Sequence, residues 1–353
     1  MAIESIVLAG NFSPGNLEAS YKDAFDAIGV RTHIFDLREF GNELGWLLRN
    51  RATHRLTIRS RFARENASRT FNHLLENAVM ASGASAFFLL KGTFVMPETL
   101  HRIRHMGVRV ACYFPDNPFA PHSSHRPETL PAARETDLYL IWSERLVKNL
   151  LDAGVRNPVF LPFAWDPEAF PYQGAQPQGR WPGVLFLGGW DKQREEFLEE
   201  LASLVPLRIY GPGYWGTRTK ARSRVRRCWQ GSGLRLIDAA RAIRESAVSI
   251  NLLRDQHVID GEPDGLIMRH FEVPGAGGFL LSTRGGGATN LFPEGETGEY
   301  FSNLAECVEK AKSYIANDTA RRELAERAHV EVASQHKYTD RARQILGLLG
   351  ECR

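Results

Sequence analysis

The sequence predicts an α/β fold of two doubly wound domains, in which helices cover both faces of a parallel sheet. Short apolar runs alternate with stretches of helical periodicity along most of the chain. The alternation stops at a proline- and glycine-rich segment, residues 162–183, and then restarts. The length of 353 residues is sufficient for two domains of ordinary size.

The first half begins with SIVLAG at residues 5–10, a predicted strand followed by the turn-rich NFSPGN. Right-handed crossovers between parallel strands then fix most of the topology. The other predicted elements of this half are a helix at 17–28, a strand at 31–36, a long basic helical region that follows it, a strand at 84–90, a helix at 97–105, strands at 108–114 and 138–142, a helix at 143–153 and a strand at 157–161. In the basic helical region, Phe71, Leu74, Leu75 and Val79 lie at helical spacing.

The alternation restarts with VLFLGG, and we predict a first domain at 1–165, a linker at 166–180, a second domain at 181–336 and a C-terminal helix at 337–353. Ligands of open parallel sheets bind beyond the carboxyl ends of the strands, so two such domains that face each other place both edges on one cleft. The predicted elements of the second half are strands at 184–189, 207–211, 248–253 and 278–283, and helices at 192–203, 236–245, 266–275, 303–316, 318–334 and 338–350.

The charge of the chain is small overall but unevenly distributed. A formal net charge of +3 does not require a polyanionic partner. Two basic clusters are interpreted first as solvated helix faces and second as surfaces that attract an anionic substrate, nucleic acid or membrane. The clusters are Arg49, Arg51, Arg55, Arg59, Arg61 and Arg64, and Arg218, Lys220, Arg222, Arg224, Arg226 and Arg227.

Several classes of protein are not indicated. Cys112, Cys228, Cys307 and Cys352 form no CxxC pair, so neither a disulfide framework nor a zinc site is predicted, and a cytoplasmic location is expected. The N-terminal MAIESIVLAG predicts a strand, since it lacks the basic region of a signal peptide. No apolar stretch approaches the length of a membrane span, so any membrane contact is expected to be peripheral.

The segment DGLIMRHFEVPGAGGFLLSTR, residues 264–284, carries the densest set of candidate binding residues. Asp264 and Glu272 are eight positions apart, with Arg269 between them. Residues with this spacing lie about 80° apart around a helix and roughly 12 Å apart along it, so they can reach different parts of one extended ligand. Glu272 is suited to accept hydrogen bonds from a ribose diol, and Arg269 to hold a diphosphate. The alternative is an ordinary helix with exposed charges.

Strand ends earlier in the second half supply further candidates. Gly188 and Gly189 allow close approach to the backbone, and Arg194 follows in the first turn of a helix. Glycines, free amides and a positive charge at a helix start suit a phosphate, although a capped helix with a basic face has the same pattern. In RIYGPGYW, Tyr210 and Gly211 end a strand, and the aromatic side chains either line a pocket for a base or pack together.

One more strand end carries polar residues. Asn251 lies within the apolar strand SINLL, where a polar side chain needs a partner. That partner is either neighbouring backbone or a ligand beyond the strand end. Arg254 follows, and its charge suits either a phosphate or a surface ion pair.

These motifs resemble GT-B glycosyltransferases of the glycosyltransferase group 1 type, in particular the branch named after a spore maturation protein. The resemblance covers roughly residues 181–346. In the N-terminal half it is looser and rests on strand order, a Lys-Gly pair at a strand end and the phrase PFAWDPEAF. The matching stretches are VLFLGGWDKQREEFLEEL, RIYGPGYW, SINLL and RHFEVPGAGGFLLSTRGGGATNLFPEGETGEYF, with a helical tail through HKYTDRARQIL.

The resemblance implies two Rossmann-like domains that face each other across a cleft, and transfer of a hexose-type sugar from a nucleotide-diphosphate sugar, without a metal or further cofactor. The second domain would hold the nucleotide, the first the acceptor, and the final helix would pack back on the first domain. Glu272 falls where related retaining enzymes carry the glutamate that contacts ribose. Asp264 falls where another glutamate faces the donor sugar, and its shorter side chain leaves retention or inversion open. Arg194 and Arg269 fall where basic residues neutralise the diphosphate.

An inverting reaction also needs a base on the acceptor side. Asp116, just after the strand RVACYF, is the first candidate, although it also suits a turn cap, and His122 or His125 is the second. The acceptor is not identified, and an anionic acceptor is a separate hypothesis based on the basic clusters. The residues expected on the acceptor side from their strand-end positions are Gly10, Asn11 and Lys91.

Two other functions stay open at this point. A nucleotide-sugar epimerase-type enzyme on the same fold would require several acids and histidines opposite the donor. A non-catalytic binding protein would keep the donor pocket without turnover. The sequence does not indicate the oligomeric state.

Overall fold

The structure is a computed structural model that describes residues 3–37, 61–92, 95–120, 126–174, 176–177 and 180–352. The chain divides into two compact units. Unit 1 consists of Met1–Leu161 together with Tyr338–Arg353, and unit 2 consists of Pro162–Lys337.

Unit 1 is built on a six-stranded parallel sheet. Its strands are β1 (Ser5–Gly10), β2 (Arg31–Asp36), β3 (Ala86–Leu90), β4 (Arg109–Phe114), β5 (Leu138–Ile141) and β6 (Pro158–Phe160). Its described helices are α1 (Leu17–Ala27), α2 (Arg61–Ser82), α3 (Pro97–His105), α4 (Thr129–Arg134), α5 (Glu144–Asp152) and α14 (Tyr338–Glu351). The strand order is β2-β1-β3-β4-β5-β6, so the sheet grows away from β1 in both directions. This switch point is where α/β sheets bind ligands.

The central strands of unit 1, β3, β4 and β5, are apolar because helices bury them on both faces, whereas the edge strand β2 is partly exposed. All five residues of β3, AFFLL, are buried. Aromatic side chains pack two helices against this strand, since the Tyr21 ring of α1 lies 5.2 Å from Phe88 and 5.1 Å from Tyr338 of α14. The C-terminal helix therefore completes the core of unit 1, although the whole of unit 2 separates it from the rest of that unit in the sequence.

Unit 2 is built on a five-stranded parallel sheet and a short antiparallel hairpin. Its strands are β7 (Trp181–Leu187), β8 (Leu207–Tyr210), β9 (Ser246–Asn251), β12 (Leu280–Thr283) and β13 (Tyr300–Phe301), with the hairpin β10 (Val258–Ile259) and β11 (Glu262–Pro263). Its helices are α6 (Lys192–Leu201), α7 (Tyr214–Arg218), α8 (Arg224–Cys228), α9 (Leu236–Glu245), α10 (Arg269–Gly275), α11 (Gly286–Leu291), α12 (Leu304–Ala316) and α13 (Asp318–Gln335).

The order of the main sheet of unit 2 is β13-β12-β9-β7-β8. The chain adds β8 on one side of β7 and then crosses to add β9 on the other side, so β7 marks the switch point. The loops that leave β7 and β9 diverge above the sheet, and this divergence creates room for a ligand beyond their carboxyl ends. Two doubly wound parallel sheets confirm the predicted α/β fold class.

The glycines of the PGAGG turn are explained by packing. A Cβ on Gly275 would lie 2.3 Å from the indole Cδ1 of Trp165, and a Cβ on Gly278 would lie 2.2 Å from Cγ2 of Ile243. Gly277 has φ +81°, a left-handed conformation that favours glycine. The turn therefore brings α10 and β12 close to their neighbours, and its composition is not itself a mark of a ligand.

The described part of the predicted linker, residues 166–180, belongs to unit 2. Just before it, the backbone N–H of Trp165 donates a 2.7 Å hydrogen bond to the carbonyl of His336. Within it, the Tyr172 ring stacks on His329 with centroids 3.6 Å apart. These contacts fix the segment on the helices of unit 2.

Short elements account for most differences from the sequence prediction. The helix predicted around 266–275 begins at Arg269, and Gly265 before it takes the left-handed φ of +65°. The helices α4, α7, α8 and α11 were not predicted, since each has five or six residues and too few turns for a periodic signal. Among the described helices, none combines the length and the apolar character needed to cross a bilayer.

The close approach of two strand-end loops in unit 2 gives a stability prediction. A Cβ on Gly211 would lie 2.0 Å from the carbonyl oxygen of Gly188, so we expect Gly211→Ala to lower the free energy of unfolding by about 2 kcal/mol or more. Gly213→Ala is the matched control, because a Cβ there meets nothing within 4 Å and its φ is −53°. Urea unfolding measures both, and equal effects of the two substitutions would contradict the prediction.

Candidate functional site

The candidate site lies at the switch point of unit 2, beyond the carboxyl ends of β7, β8 and β9. The Gly188 N–H donates to the Tyr210 carbonyl at 3.0 Å, and the Gly188 carbonyl accepts from the Trp215 indole at 2.9 Å. Two aromatic residues of RIYGPGYW therefore have different roles. Trp215 is buried and holds the β7 loop, whereas Tyr214 is 57% exposed.

Arg194 is a buried cation that joins two of these loops. Its guanidinium donates to the Gly189 carbonyl at 3.2 Å and to the Leu252 carbonyl, and its Nε lies 3.4 Å from Oδ2 of Asp191. Asp191 also caps α6, since its side chain accepts a 2.9 Å hydrogen bond from the backbone N–H of Arg194. Burial, together with the charges of Arg254 and Arg269, lowers the pKa of Arg194 to about 10, while the charge of Asp191 acts in the opposite direction.

Two more guanidinium groups lie at the same edge. The Arg254 Nε is 3.3 Å from Oδ2 of Asp191, and one third of the Arg254 side chain is exposed. Arg269, the first residue of α10, donates to the Leu187 carbonyl at 3.2 Å and to Oε2 of Glu272. Burial lowers the pKa of Arg269 to about 10.

The site carries an excess of positive charge. The charges of Arg254 and Arg269 both act on Arg194, and two carboxylates, those of Asp191 and Glu272, are paired with these three guanidinium groups. Like charges held together in a partly buried site repel one another, and an anion relieves that repulsion. These five side chains carry a net charge of +1, and the arrangement is therefore suited to bind an anionic ligand.

Glu272 lies one turn into α10 and is 94% buried, as its exposed fraction is 6%. Its Oε2 accepts from Arg269, while Oε1 accepts no hydrogen bond from a residue that the structure describes. A carboxylate oxygen can accept more than one hydrogen bond, so Glu272 keeps acceptor capacity for a ligand. The sequence predicts that Arg269 and Glu272 bind different parts of one ligand, and in the structure the two side chains contact each other.

Asp264 is placed differently from Glu272. It follows the β10–β11 hairpin, and its Oδ1 accepts from the Gly287 N–H of α11 at 2.9 Å. Its Oδ2 is buried and has no hydrogen-bond partner among the described residues. Cβ atoms on Gly285 and Gly287 would lie 2.6 and 2.9 Å from the carbonyl and carboxylate oxygens of Asp264. Asp264 therefore holds the glycine-rich loop that begins α11.

Asn251 belongs to a buried polar network. Its amide donates to Oγ of Ser282 at 2.9 Å, and Nε2 of His270 lies 3.1 Å from the same hydroxyl oxygen. Nδ1 of His270 lies 3.2 Å from the backbone N of Ile267 just before α10. The partner of the Asn251 amide is neither of the two that the sequence left open, but the Ser282 side chain on the neighbouring strand β12. The network links β9, β12 and the start of α10.

The candidate residues of unit 1 also meet at one sheet edge. The Lys91 ammonium lies 2.8 Å from Oδ2 of Asp116, and Lys91 has a left-handed φ of +68°. The Asn11 N–H donates to Oε1 of Glu18 at 3.2 Å, and a Cβ on Gly10 would lie 2.4 Å from Cγ of the same glutamate. Lys91 lowers the pKa of Glu18, while burial raises it by a larger amount.

Several predicted residues lie outside the described part of the chain. These are His122 and His125, the arginines at 49, 51, 55 and 59, and the side chains of Arg61 and Arg64. Two residues of the described sites are not among those predicted from the sequence: Asp191, which pairs with two arginines, and Glu18. The signal for Asp191 was its position three residues before Arg194, since Asp is a preferred helix N-cap.

Part of the chain matches a known family. Residues 192–347 match the model of a family described as glycosyl transferase-like. This match supports the broader part of the resemblance found in the sequence, and the narrower likeness to the spore-maturation-protein branch stays a prediction. No curated protein sequence is significantly similar to the chain.

Solved structures of similar fold cover nearly the whole chain. Sucrose-phosphate synthase from Thermosynechococcus elongatus is 12% identical with a TM-score of 0.67, over 99% of this chain and 98% of that one. The α,α-trehalose 6-phosphate synthase from Burkholderia multivorans is also 12% identical, with a TM-score of 0.62 and the same coverage. HepE of Anabaena, solved in complex with UDP, is 11% identical with a TM-score of 0.58, over 99% of this chain and 100% of that one. These similarities show the GT-B fold predicted from the sequence.

Burial of His270 gives a prediction for pH. Burial lowers its pKa to about 4, whereas an unfolded histidine has a pKa of about 6.5. Below pH 6.5 or so the unfolded chain binds a proton that the folded chain excludes. We therefore expect this residue to lower the free energy of unfolding as the pH falls from about 6.5 to 4, by up to about 3 kcal/mol.

The measurement is urea unfolding at a series of pH values. His270→Gln removes the titrating ring, so its unfolding free energy should depend less on pH than that of the wild type over this interval. His73→Gln, at an exposed position of α2, is the control and should keep the wild-type slope. Equal slopes for His270→Gln and the wild type would contradict the prediction.

Proposed function

We propose that the chain is a glycosyltransferase that moves a sugar from a nucleotide-diphosphate donor to an acceptor, with the donor bound by unit 2. The observation that carries this proposal is the group of three guanidinium side chains at the switch point of the unit 2 sheet. The family match over residues 192–347 and the GT-B fold are consistent with it. A hexose donor, the spore-maturation-protein branch and a cytoplasmic location are narrower parts of the same proposal.

The three arginines differ in their freedom to contact a diphosphate. Arg194 is 7% exposed and is committed to two backbone carbonyls, so it contributes a fixed positive field. Arg254 is one third exposed and is held by a 3.3 Å ion pair, so it can turn towards a phosphate at small cost. Arg269 has a side chain 28% exposed and carries a second charge to the start of α10. Planar guanidinium groups bind phosphate oxygens in pairs.

The two acids take separate parts of the donor in this proposal. Glu272 retains Oε1 for the hydroxyls of a ribose. Asp264 offers Oδ2, a buried oxygen that a sugar hydroxyl would satisfy. Because its other oxygen holds the loop at Gly287, Asp264 also fixes the backbone beside that hydroxyl.

The chemistry is departure of a nucleoside diphosphate from the anomeric carbon. Negative charge develops on the leaving phosphate, and preorganised guanidinium groups stabilise it without reorganisation during the reaction. We propose that these side chains, and not a metal ion, neutralise the charge of the leaving diphosphate. The acceptor oxygen forms the new bond to the anomeric carbon and loses its proton to a base, for which Asp116 stays our candidate in unit 1.

A donor screen tests the proposed function. The purified chain is incubated with uridine, thymidine and guanosine diphosphate sugars, and release of the nucleoside diphosphate is measured. Release from one donor is expected, because glycosyltransferases hydrolyse donors slowly when water replaces the acceptor. An epimerised sugar nucleotide would indicate the epimerase-type alternative. Binding of a donor with neither product, over an extended incubation with high enzyme, would favour a non-catalytic binding protein.

Removal of one cation tests the donor site directly. We expect Arg254→Gln to weaken binding of the nucleoside diphosphate about tenfold to a hundredfold, the range of one charge-assisted hydrogen bond. Arg241→Gln is the control, because it makes the same change of charge on α9 at a side chain 63% exposed. Isothermal titration measures both. Unchanged affinity in Arg254→Gln would exclude Arg254 from the phosphate site.

A further inference from the structure

One segment of unit 2 concentrates positive charge far beyond what the whole chain carries. Residues 201–237 contain eight basic residues and no Asp or Glu, in a chain whose formal net charge is +3. The basic residues are Arg208, Arg218, Lys220, Arg222, Arg224, Arg226, Arg227 and Arg235. Six of them lie between positions 218 and 227, on or between the short helices α7 and α8. We call the six residues Arg218, Lys220, Arg222, Arg224, Arg226 and Arg227 the basic surface.

The basic surface has a fixed conformation. The Glu199 carboxylate of α6 accepts from the backbone N–H groups of Arg224 and Val225, both at 2.9 Å, and so caps α8. The Trp229 indole donates to the Gly211 carbonyl at 3.2 Å. Because both ends of α8 are tied to the sheet and to α6, its cations are presented together on folded structure.

Few acids oppose these cations. Arg224 lies 3.6 Å from Glu199. No carboxylate of a described residue lies within ion-pair distance of the other five members of the basic surface, four of which are exposed. The five are Arg218, Lys220, Arg222, Arg226 and Arg227. Ordinary solvated helix faces pair such charges with acids at neighbouring turns, so this excess indicates an anionic partner.

The aromatic residues of the region distinguish between partners. The Arg218 guanidinium lies over the rings of Trp190 and Tyr214, at 4.8 and 4.9 Å from their centroids, and Arg226 lies 5.4 Å above Trp229. These guanidinium groups occupy ring faces on which nucleic-acid bases would stack. The surface therefore favours phosphate groups without bases. Tyr214 is 57% exposed and has the amphipathic ring that suits the boundary between lipid and water.

We propose that the basic surface binds the headgroups of a bilayer that contains anionic phospholipids. A cluster of this size matches the number of cations that hold peripheral proteins on such membranes, and each contributes about fivefold to the binding constant. The exposed Tyr214 ring would lie at the headgroup level beside Arg218. This proposal concerns a surface of unit 2 and does not depend on the reaction proposed above.

Vesicle sedimentation tests the proposal with the full chain. We expect binding to phosphatidylcholine vesicles that contain phosphatidylserine, and none to phosphatidylcholine alone. Binding should fall steeply between about 0.1 and 1 M salt, since the screening length shrinks from about 10 to 3 Å. Failure to bind the phosphatidylserine vesicles at low salt would overturn the proposal.

Matched variants separate the local surface from net charge. Replacing Lys220, Arg222 and Arg227 with Gln should weaken binding about a hundredfold at low salt. The control replaces Arg145, Arg156 and Lys312 with Gln, which makes the same change of net charge at dispersed, exposed positions and should retain most of the binding. Circular dichroism checks that both variants fold. Equal losses in the two variants would overturn the proposal, as would binding of a single-stranded oligonucleotide at the same salt more tightly than the vesicles.

Discussion

A single buried guanidinium organises the carboxyl edge of the unit 2 sheet. Arg194 donates to the carbonyls of Gly189 and Leu252, so it links the loops that leave β7 and β9 on the two sides of the switch point. A buried cation is tolerated only when hydrogen bonds and a counter-charge replace water, and the shared carboxylate of Asp191 supplies that counter-charge. The positions of Arg254 and of the α6 amides follow from the same carboxylate.

The overall fold and part of the site could be predicted from local pattern. Continuous apolar runs identify strands buried on both faces, and their order fixes which ends lie at one edge. That is why Arg194, Arg269 and Glu272, each next to a strand end or helix start, could be selected from the sequence. Asn251 could not be assigned in the same way, because its contact with Ser282 depends on the register between β9 and β12.

The glycine residues illustrate a second limit of sequence analysis. Gly285 and Gly287 look like a flexible loop in the sequence, yet each leaves space for the oxygens of Asp264, some twenty residues earlier. Gly275 similarly leaves space for Trp165, which comes from a distant part of the chain. A glycine in the sequence does not indicate which distant residue packs against its backbone, so close packing of this kind could not be predicted and is seen only in the folded structure.

The return of α14 to unit 1 has a consequence for synthesis of the protein on the ribosome. Tyr338 of this helix packs against Tyr21 near the other terminus, and all of unit 2 is made between them. A nascent chain therefore exposes the apolar surface that α14 covers in the folded protein, until residues 338–351 have left the ribosome. At typical elongation rates that interval is on the order of tens of seconds, so unit 2 has time to fold before unit 1 can be completed.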